Sequence, residues 1–517
     1  MHTLNPWKIF LSAYKAIILS TSLLMGCQEL PPLDTRIPSH AFGRDEVPNT
    51  ALGREIARDT AAHPDESGVF ALTEPRGAFA ARAMLAATAE HTLDVQYYIW
   101  RHDITGTLML KALLEAARRG VRVRLLLDDM TTASLDPMLA ALDTHENVEV
   151  RLFNPFVHRK FRFIDFITAF ARANRRMHNK SFTADNSATI VGGRNIGDEY
   201  FGASEHLMFA DADVLAIGPV VKAVSWDFDR YWASASAYPA ASLLPPSSAS
   251  AQAEIFGAAA RVANGPEANK YLDALHEDGT IDALLTHNLP FIWAPTQMLS
   301  DDPAKGVGKA SPEALLVTRL SKIIGAAVGR FTLISAYFVP TQAGTDALVA
   351  LARRGVDITI LTNSLEATDV AAVHAGYARY RKTLLEAGIV LYEMRSGNAK
   401  TNMAVFGSSA ASLHAKTFSI DGERVFVGSF NFDPRSAQLN TELGFVIESA
   451  ILAQRIAAQF NTAPQYAYRV MLSNDGNVYW LEQCDGKTLR HDEEPYTSIW
   501  KRMGVRLLSI MPIEWLL

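Results

Sequence analysis

The stretch His178-Asn179-Lys180-Ser181-Phe182-Thr183-Ala184-Asp185 decides the reading of this chain, because it returns 236 residues later as His414-Ala415-Lys416-Thr417-Phe418-Ser419-Ile420-Asp421. Both are H-x-K-x4-D. After six intervening residues each aspartate is followed by a pair of small residues and, after one more residue, an asparagine: Gly192, Gly193 and Asn195 in the first copy, Gly428, Ser429 and Asn431 in the second. An offset that stays constant over the whole block marks a duplication with chemistry in it. On an extended strand, residues two apart share a face, so each histidine stands beside its lysine. An imidazole can attack phosphorus while a neighbouring ammonium neutralises phosphate oxygens. Phosphodiester exchange needs a second group that protonates the leaving alcohol and deprotonates the incoming one. Two histidines, one from each half, supply that pair. This chemistry needs no metal or other cofactor, and no Asp/Glu/His cluster in the sequence demands one.

Outward from the motifs, the two halves share an order of elements. In the first, a β-rich run Leu93–Trp100 is followed by a helical pattern Thr107–Arg119, a near-continuous apolar strand Val121–Asp129 and a short strand Val148–Phe153. In the second, the same order runs Phe331–Pro340, Asp346–Arg354, Val356–Ser364 and Ile389–Met394. Arg-Arg-Gly closes the helix in both, at Arg118-Arg119-Gly120 and Arg353-Arg354-Gly355. Strand-helix-strand order with buried apolar strands predicts largely parallel α/β sheets. The division expected is a leader 1–26, an arm 27–66, a first half 67–235, a linker region 236–310 with some local structure, a second half 311–465 and a β-rich tail 466–517.

Composition narrows the function. The 517 residues are 49% apolar and 20% charged, enough for packed cores, with a net charge of −6 that argues against a protein built to coat nucleic acid. Two cysteines, Cys27 and Cys484, exclude a disulfide framework. Residues 1–26 combine Lys8 and Lys15 with an apolar run Ala16–Met25, the layout of a secretory leader. Leu24-Met25-Gly26-Cys27 resembles a bacterial lipobox, which implies a lipidated Cys27; Gln28 after it favours the outer membrane.

The doubled block resembles the HKD signature of the phospholipase D superfamily over about residues 70–470. The strings Asn174–Lys180, Phe430–Ser436 and Leu439–Gly444 are similar to bacterial cardiolipin synthases, especially those of the C type. The resemblance implies two pseudo-repeated α/β/α halves packed around one shared active site. It implies a phosphatidyltransferase in which one histidine becomes a phosphohistidine and the other is general acid/base, here assigned as His178 and His414. Lys180 and Lys416 would bind the phosphate, Asn195, Asn431 and Ser429 would donate to it, and Asp185 and Asp421, though part of the motif, would hold local structure. Cardiolipin synthesis with phosphatidylglycerol as acceptor is the leading reaction. Hydrolysis to phosphatidic acid is its close rival, and a phosphodiester-cleaving nuclease is a more distant one. The implied partners are phospholipids and a membrane surface in a bacterial cell envelope, with no nucleic acid.

A histidine acting at phosphorus needs its other nitrogen held by an acceptor. Each half offers a carboxylate for its histidine: Asp211, with Asp213 as its rival, in the first and Glu442 in the second. The segment Phe156–Lys180 interleaves aromatics and bases, with Phe163, Phe166 and Phe170 at helical spacing. It reads as an amphipathic helix on the core, as an element drawing in anionic headgroups, or as a grip on single-stranded nucleic acid. Asp128 and Asp129 read as a cap or loop pair, His374 as structural, and Arg435 as either a headgroup ligand or a buried ion-pair partner.

Overall fold

A computed structural model describes residues 29–34, 36–41, 43, 49–204, 209–276, 289–396, 412–484 and 486–517. The leader and Cys27 lie outside them. Among the described residues the chain forms a nine-stranded sheet, a ten-stranded sheet and a two-stranded ribbon. At the heart of the first sheet, strands Thr92–Tyr97, Arg122–Asp128 and Val148–Phe153 run parallel. Their counterparts in the second are Arg330–Ser335, Asp357–Asn363 and Val390–Met394. The helix between the first two strands is Ile104–Arg118 in one half and Thr341–Arg353 in the other. Each ends at the repeated Arg-Arg-Gly, where Gly120 and Gly355 take φ of 100° and 91°, a turn that a side chain would strain.

The sheets are parallel only in these centres, which corrects the expectation of largely parallel sheets. The motif strands Ser181–Ala184 and Lys416–Ile420 pair antiparallel with Thr92–Tyr97 and Arg330–Ser335. Each then folds back on its next strand through a tight turn, and a connection that short can only join antiparallel neighbours. The motif aspartates sit in those turns with φ of 49° and 55°. Asp185 accepts the backbone N–H groups of Glu90, His91 and Thr92 at 2.9, 2.9 and 2.8 Å. Asp421 accepts those of Val328, Gly329 and Arg330 at 3.2, 2.7 and 3.0 Å. Each ties its hairpin to the start of the adjacent central strand.

The stretch 236–310 is built into both halves. Ala237–Pro239 edges the first sheet, and helix Ala249–Ala263 lies on its flank. Ile292–Ala294 pairs with Ser67–Leu72 of the first sheet; after Pro295, Thr296–Ser300 pairs with Leu443–Glu448 of the second. Val69, Val191 and Val214 of the first half share one apolar cluster with Val427, Phe445 and Ile447 of the second. Removing that much apolar surface from water holds the halves as one body. The tail adds three strands to the second sheet, Ala467–Leu472, Val478–Cys484 and Lys487–His491, before a helix Ile499–Ile510. No helix among the described residues is long and apolar enough to cross a membrane.

Candidate active site

Both motif histidines stand just ahead of their strands, in extended segments where the halves meet. The backbone N–H of His178 donates to Thr441 O at 2.9 Å, and Thr441 N–H donates back to Arg176 O. On the other side, Ser412–Leu413 pairs with Phe209–Ala210 in the ribbon, and His414 N–H donates to Ala210 O at 2.8 Å. Each histidine is thus bonded to the carbonyl of the residue just before an acid of the opposite half. The side chains follow. His178 Nδ1 donates to Glu442 Oε2 at 2.8 Å, and His414 Nδ1 donates to Asp211 Oδ2 at 2.5 Å. The sequence had assigned each acid to the histidine of its own half; the inter-half pairing crosses them. Asp213, the rival of Asp211, instead pairs with Arg82 at 2.8 Å and Arg194 at 3.4 Å.

With Nδ1 of each ring committed, Nε2 is the nitrogen left for substrate. Both rings line a cavity of about 430 Å³ that also reaches Asn195, Asn431, Tyr98, Tyr200 and Tyr337. Tyr98 packs edge-on to His178 with ring centroids 4.9 Å apart, and Phe209 lies 4.9 Å from His414. Lys180 Nζ donates to His178 O at 2.6 Å, and Lys416 Nζ donates to His414 O. Both lysines are buried beside their histidines.

Burial sets the charges here, modified by neighbours. It pushes Lys180 down to about 7, with Glu442 pulling the other way, and lowers Lys416 against Asp211. His178 is held well below its ordinary value by burial and then by Lys180 and Lys416. Burial and Lys416 also lower His414, opposed by Asp211. The two acids diverge. Burial pushes Glu442 up to about 7, opposed by Lys180. Burial also disfavours the Asp211 anion, but Lys416 and His414 together outweigh it and hold that carboxyl below its ordinary range.

The small pair after each motif serves these acids. Ser429 donates its hydroxyl to Glu442 Oε2 at 2.5 Å and accepts the Leu443 N–H at 3.0 Å. Ser429, expected from the sequence to donate to phosphate, here gives its hydroxyl proton to the acid. At the equivalent Gly193, a Cβ would stand 2.1 Å from Asp211 Oδ1, so the missing side chain is what lets Asp211 in. Asn195 spends one amide N–H on Tyr200 Oη at 3.1 Å, and its Oδ1 accepts Ile99 N–H. Asn431 faces the cavity, and its Oδ1 has no partner among the described residues. The motif aspartates sit at the far ends of their strands, tied to backbone.

The aromatic-basic segment is broken into a 3₁₀ turn and two four-residue helices, so the expected single helix does not form. Its bases are mostly neutralised: Arg159 and Arg162 pair with Asp129, Arg172 with Asp165, and Arg176 with Asp128. Asp128 also accepts the Met177 N–H at 2.7 Å, steadying the residue before His178. Arg435 donates to Asn174 Oδ1 and to Leu516 O at the cavity wall. Sequence reasoning missed Tyr98, Tyr200, Phe209, Tyr337 and Asp369, since nothing in their local pattern separates a cavity wall from core. Among the described residues, His374, Glu393 and Glu494 could offer ligand atoms to a cation. The guanidinium of Arg381 already fills that space, 2.6 Å from His374 Nε2 and paired with both acids.

A family model described as "Cardiolipin synthase, PLD-like domain" matches residues 83–232 and 320–463, the two halves that carry the motifs. Cardiolipin synthase C of Escherichia coli (strain K12) is 52% identical over 88% of this chain and 97% of its own length. An uncharacterized protein of Helicobacter pylori (strain ATCC 700392 / 26695) is 30% identical over 98% of this chain and 99% of its own. Among solved structures, a phosphatidylserine synthase of Haemophilus influenzae Rd KW20 matches with a TM-score of 0.57 over 90% of this chain and all of the other, at 14% identity, a likeness of fold alone. Two repeated halves, a histidine from each in one cavity and these relatives agree: the chain belongs to the phospholipase D-like family of cardiolipin synthases.

Proposed function

We propose that this enzyme makes cardiolipin by moving a phosphatidyl group through a phosphohistidine on His178. Nε2 of His178 attacks the phosphorus of the donor lipid, forming a P–N bond as the P–O bond to the headgroup alcohol breaks. His414 gives the leaving oxygen its proton. Neutral His414 then takes the proton from a headgroup hydroxyl of phosphatidylglycerol, whose oxygen attacks phosphorus and breaks the P–N bond. Lys180 and Lys416 counter the charge on the phosphate oxygens, and Asn195 and Asn431 line its seat. Asp211 and Glu442 orient the rings.

The carrying observation is the geometry: a histidine from each half faces one cavity, each with its Nδ1 held by an acid of the opposite half. An ionised Asp211 stabilises His414 as imidazolium, the form an acid/base passes through. Burial, with Lys180 and Lys416, keeps His178 neutral and nucleophilic. The test is purified enzyme with phosphatidylglycerol vesicles. Cardiolipin is expected; phosphatidic acid alone would mean hydrolysis, and cleaved DNA with untouched lipid would mean a nuclease. The enzyme works at a membrane, and we place it in the outer membrane through a lipid on Cys27. Labelled palmitate should enter the parent and not a Cys27→Ser variant.

A further inference from the structure

The helix Ile499–Ile510 carries apolar residues on two sides. Val505 and Leu508 pack inward against Leu365, Ala371 and Ala375. At about 100° per residue, Ile499, Trp500, Met503, Leu507 and Ile510 fall on a different arc, about 100° wide. All five are exposed, Trp500 to 76% and Ile510 to 77%. A soluble helix ordinarily turns charge to the solvent on this side.

The surface continues past the helix. Trp515 is exposed and meets Phe170, with ring centroids 6.1 Å apart. Beyond Phe170 lie exposed Phe161, Phe163 and Ile167, the last at 78%. Scattered exposed apolar residues are common, but a run of this size marks a binding face.

We infer that this face docks the enzyme onto the surface of an anionic phospholipid bilayer. Charge supports that occupant. In a chain of net charge −6, the helix has Lys501, Arg502 and Arg506 and no acid. Arg502 is paired with Glu493, while Arg506 stands exposed at the border of the apolar arc. Lys160 is exposed beside Phe161. An amphipathic helix of this kind lies in the interface plane, its apolar arc among the acyl chains and its bases at the headgroups. Position supports it too. The helix rests on Ala371–Ala378, and Val373 of that helix, with Leu516 and Leu517 beyond Trp515, lines the catalytic cavity. A bilayer held on this face brings lipid headgroups to the cavity rim.

The choice of a lipid partner rests on the phosphatidyltransferase reading, and the test separates the two. The triple variant Trp500→Glu/Leu507→Glu/Ile510→Glu is compared with the parent full chain. Its melting temperature should match, since no buried side chain changes. Cardiolipin formation on phosphatidylglycerol vesicles should fall at least about tenfold, while turnover of monomeric short-chain phosphatidylglycerol stays within about twofold. Vesicles with brominated acyl chains should quench the parent's tryptophan fluorescence, and Trp500→Phe should lose part of that quenching. Equal rates on vesicles for parent and triple variant, or quenching unchanged by Trp500→Phe, would overturn the inference. So would a lipid-free dimer of the parent that the triple variant dissolves, because the face would then join two copies of the chain. Quenching with no product from either form of lipid would leave the docking face standing and remove the reaction.

Discussion

The two half-sites are built on one backbone plan and differ in their chemistry. In both, the histidine of an extended His-x-Lys segment is bonded through its backbone to the residue just before an acid of the opposite half, and that acid takes the histidine's Nδ1. Around His178 the acid is the longer Glu442, braced by Ser429 and raised to about 7. Around His414 it is the shorter Asp211, admitted by Gly193 and held ionised beside Lys416. The copies thus differ in the acid and in the small residue behind it: burial raises Glu442 despite the Ser429 hydrogen bond, whereas Lys416 and His414 hold Asp211 low. Duplication supplies two histidines; unequal surroundings let their acids differ in charge, as the proposed nucleophile and acid/base require.

The comparison breaks first on the histidines. His178→Ala and His414→Ala should each cut kcat by about 10⁴-fold or more. Rapid quench with labelled lipid then distinguishes them: His414→Ala should still accumulate a phosphoenzyme from a donor with a good leaving group, and His178→Ala should not. The reverse result would exchange the two roles.

The acids come next. Asp211→Asn should lower kcat/KM by about 10²–10³-fold, because it removes the anion facing the imidazolium, whereas Glu442→Gln should cost about tenfold. Equal losses would mean that the two acids do the same work. Gly193→Ala should approach the Asp211→Asn loss, since its Cβ would displace Asp211, while Ser429→Ala should cost only about tenfold, the loss of one donor.

A pH profile sharpens the contrast further. In the proposed mechanism the ammonium of Lys180 is the phosphate-binding form; it is lost as pH rises through about 7, so kcat/KM of the free enzyme should fall on that alkaline side. In Lys180→Arg the residual activity should lose this limb, because a guanidinium stays charged. A limb that vanished in Lys416→Arg instead would move the effect to the other half.

The smallest effects belong to the turn aspartates. Asp185→Ala removes a buried acceptor of three N–H groups and should lower unfolding free energy by about 2–3 kcal/mol in a denaturant titration. Asp421→Ala should cost less, because its turn is open to water. A kcat loss in the folded fraction of either variant would contradict a purely structural part for these residues.

Much of this was legible in the residues. Repeated Arg-Arg-Gly and apolar strands gave the doubled α/β plan, because period and helix-stopping glycines are local properties. The motif itself named both histidines and both lysines, and Asp211 and Glu442 were within reach as acceptors. The antiparallel course of the motif strands was not read, although the turn at Asp185-Asn186 was its signal. The contact of Ser429 with Glu442 was also not read, since a hydroxyl near a phosphate site and a hydroxyl behind an acid look alike in one dimension.

The sequence by itself determined that there are two His-x-Lys sets, one per half, because each set is a short motif whose spacing a strand converts directly into a shared face. Only the tertiary structure decided that each histidine is served by the other half's acid. That pairing depends on hydrogen bonds between segments more than 200 residues apart, from His178 to Thr441 and from His414 to Ala210, and no local pattern carries them. The same reason explains why the exposed arc of the last helix becomes meaningful only in three dimensions: Phe170, which meets Trp515 just past that helix, and the cavity rim come to it only through the fold.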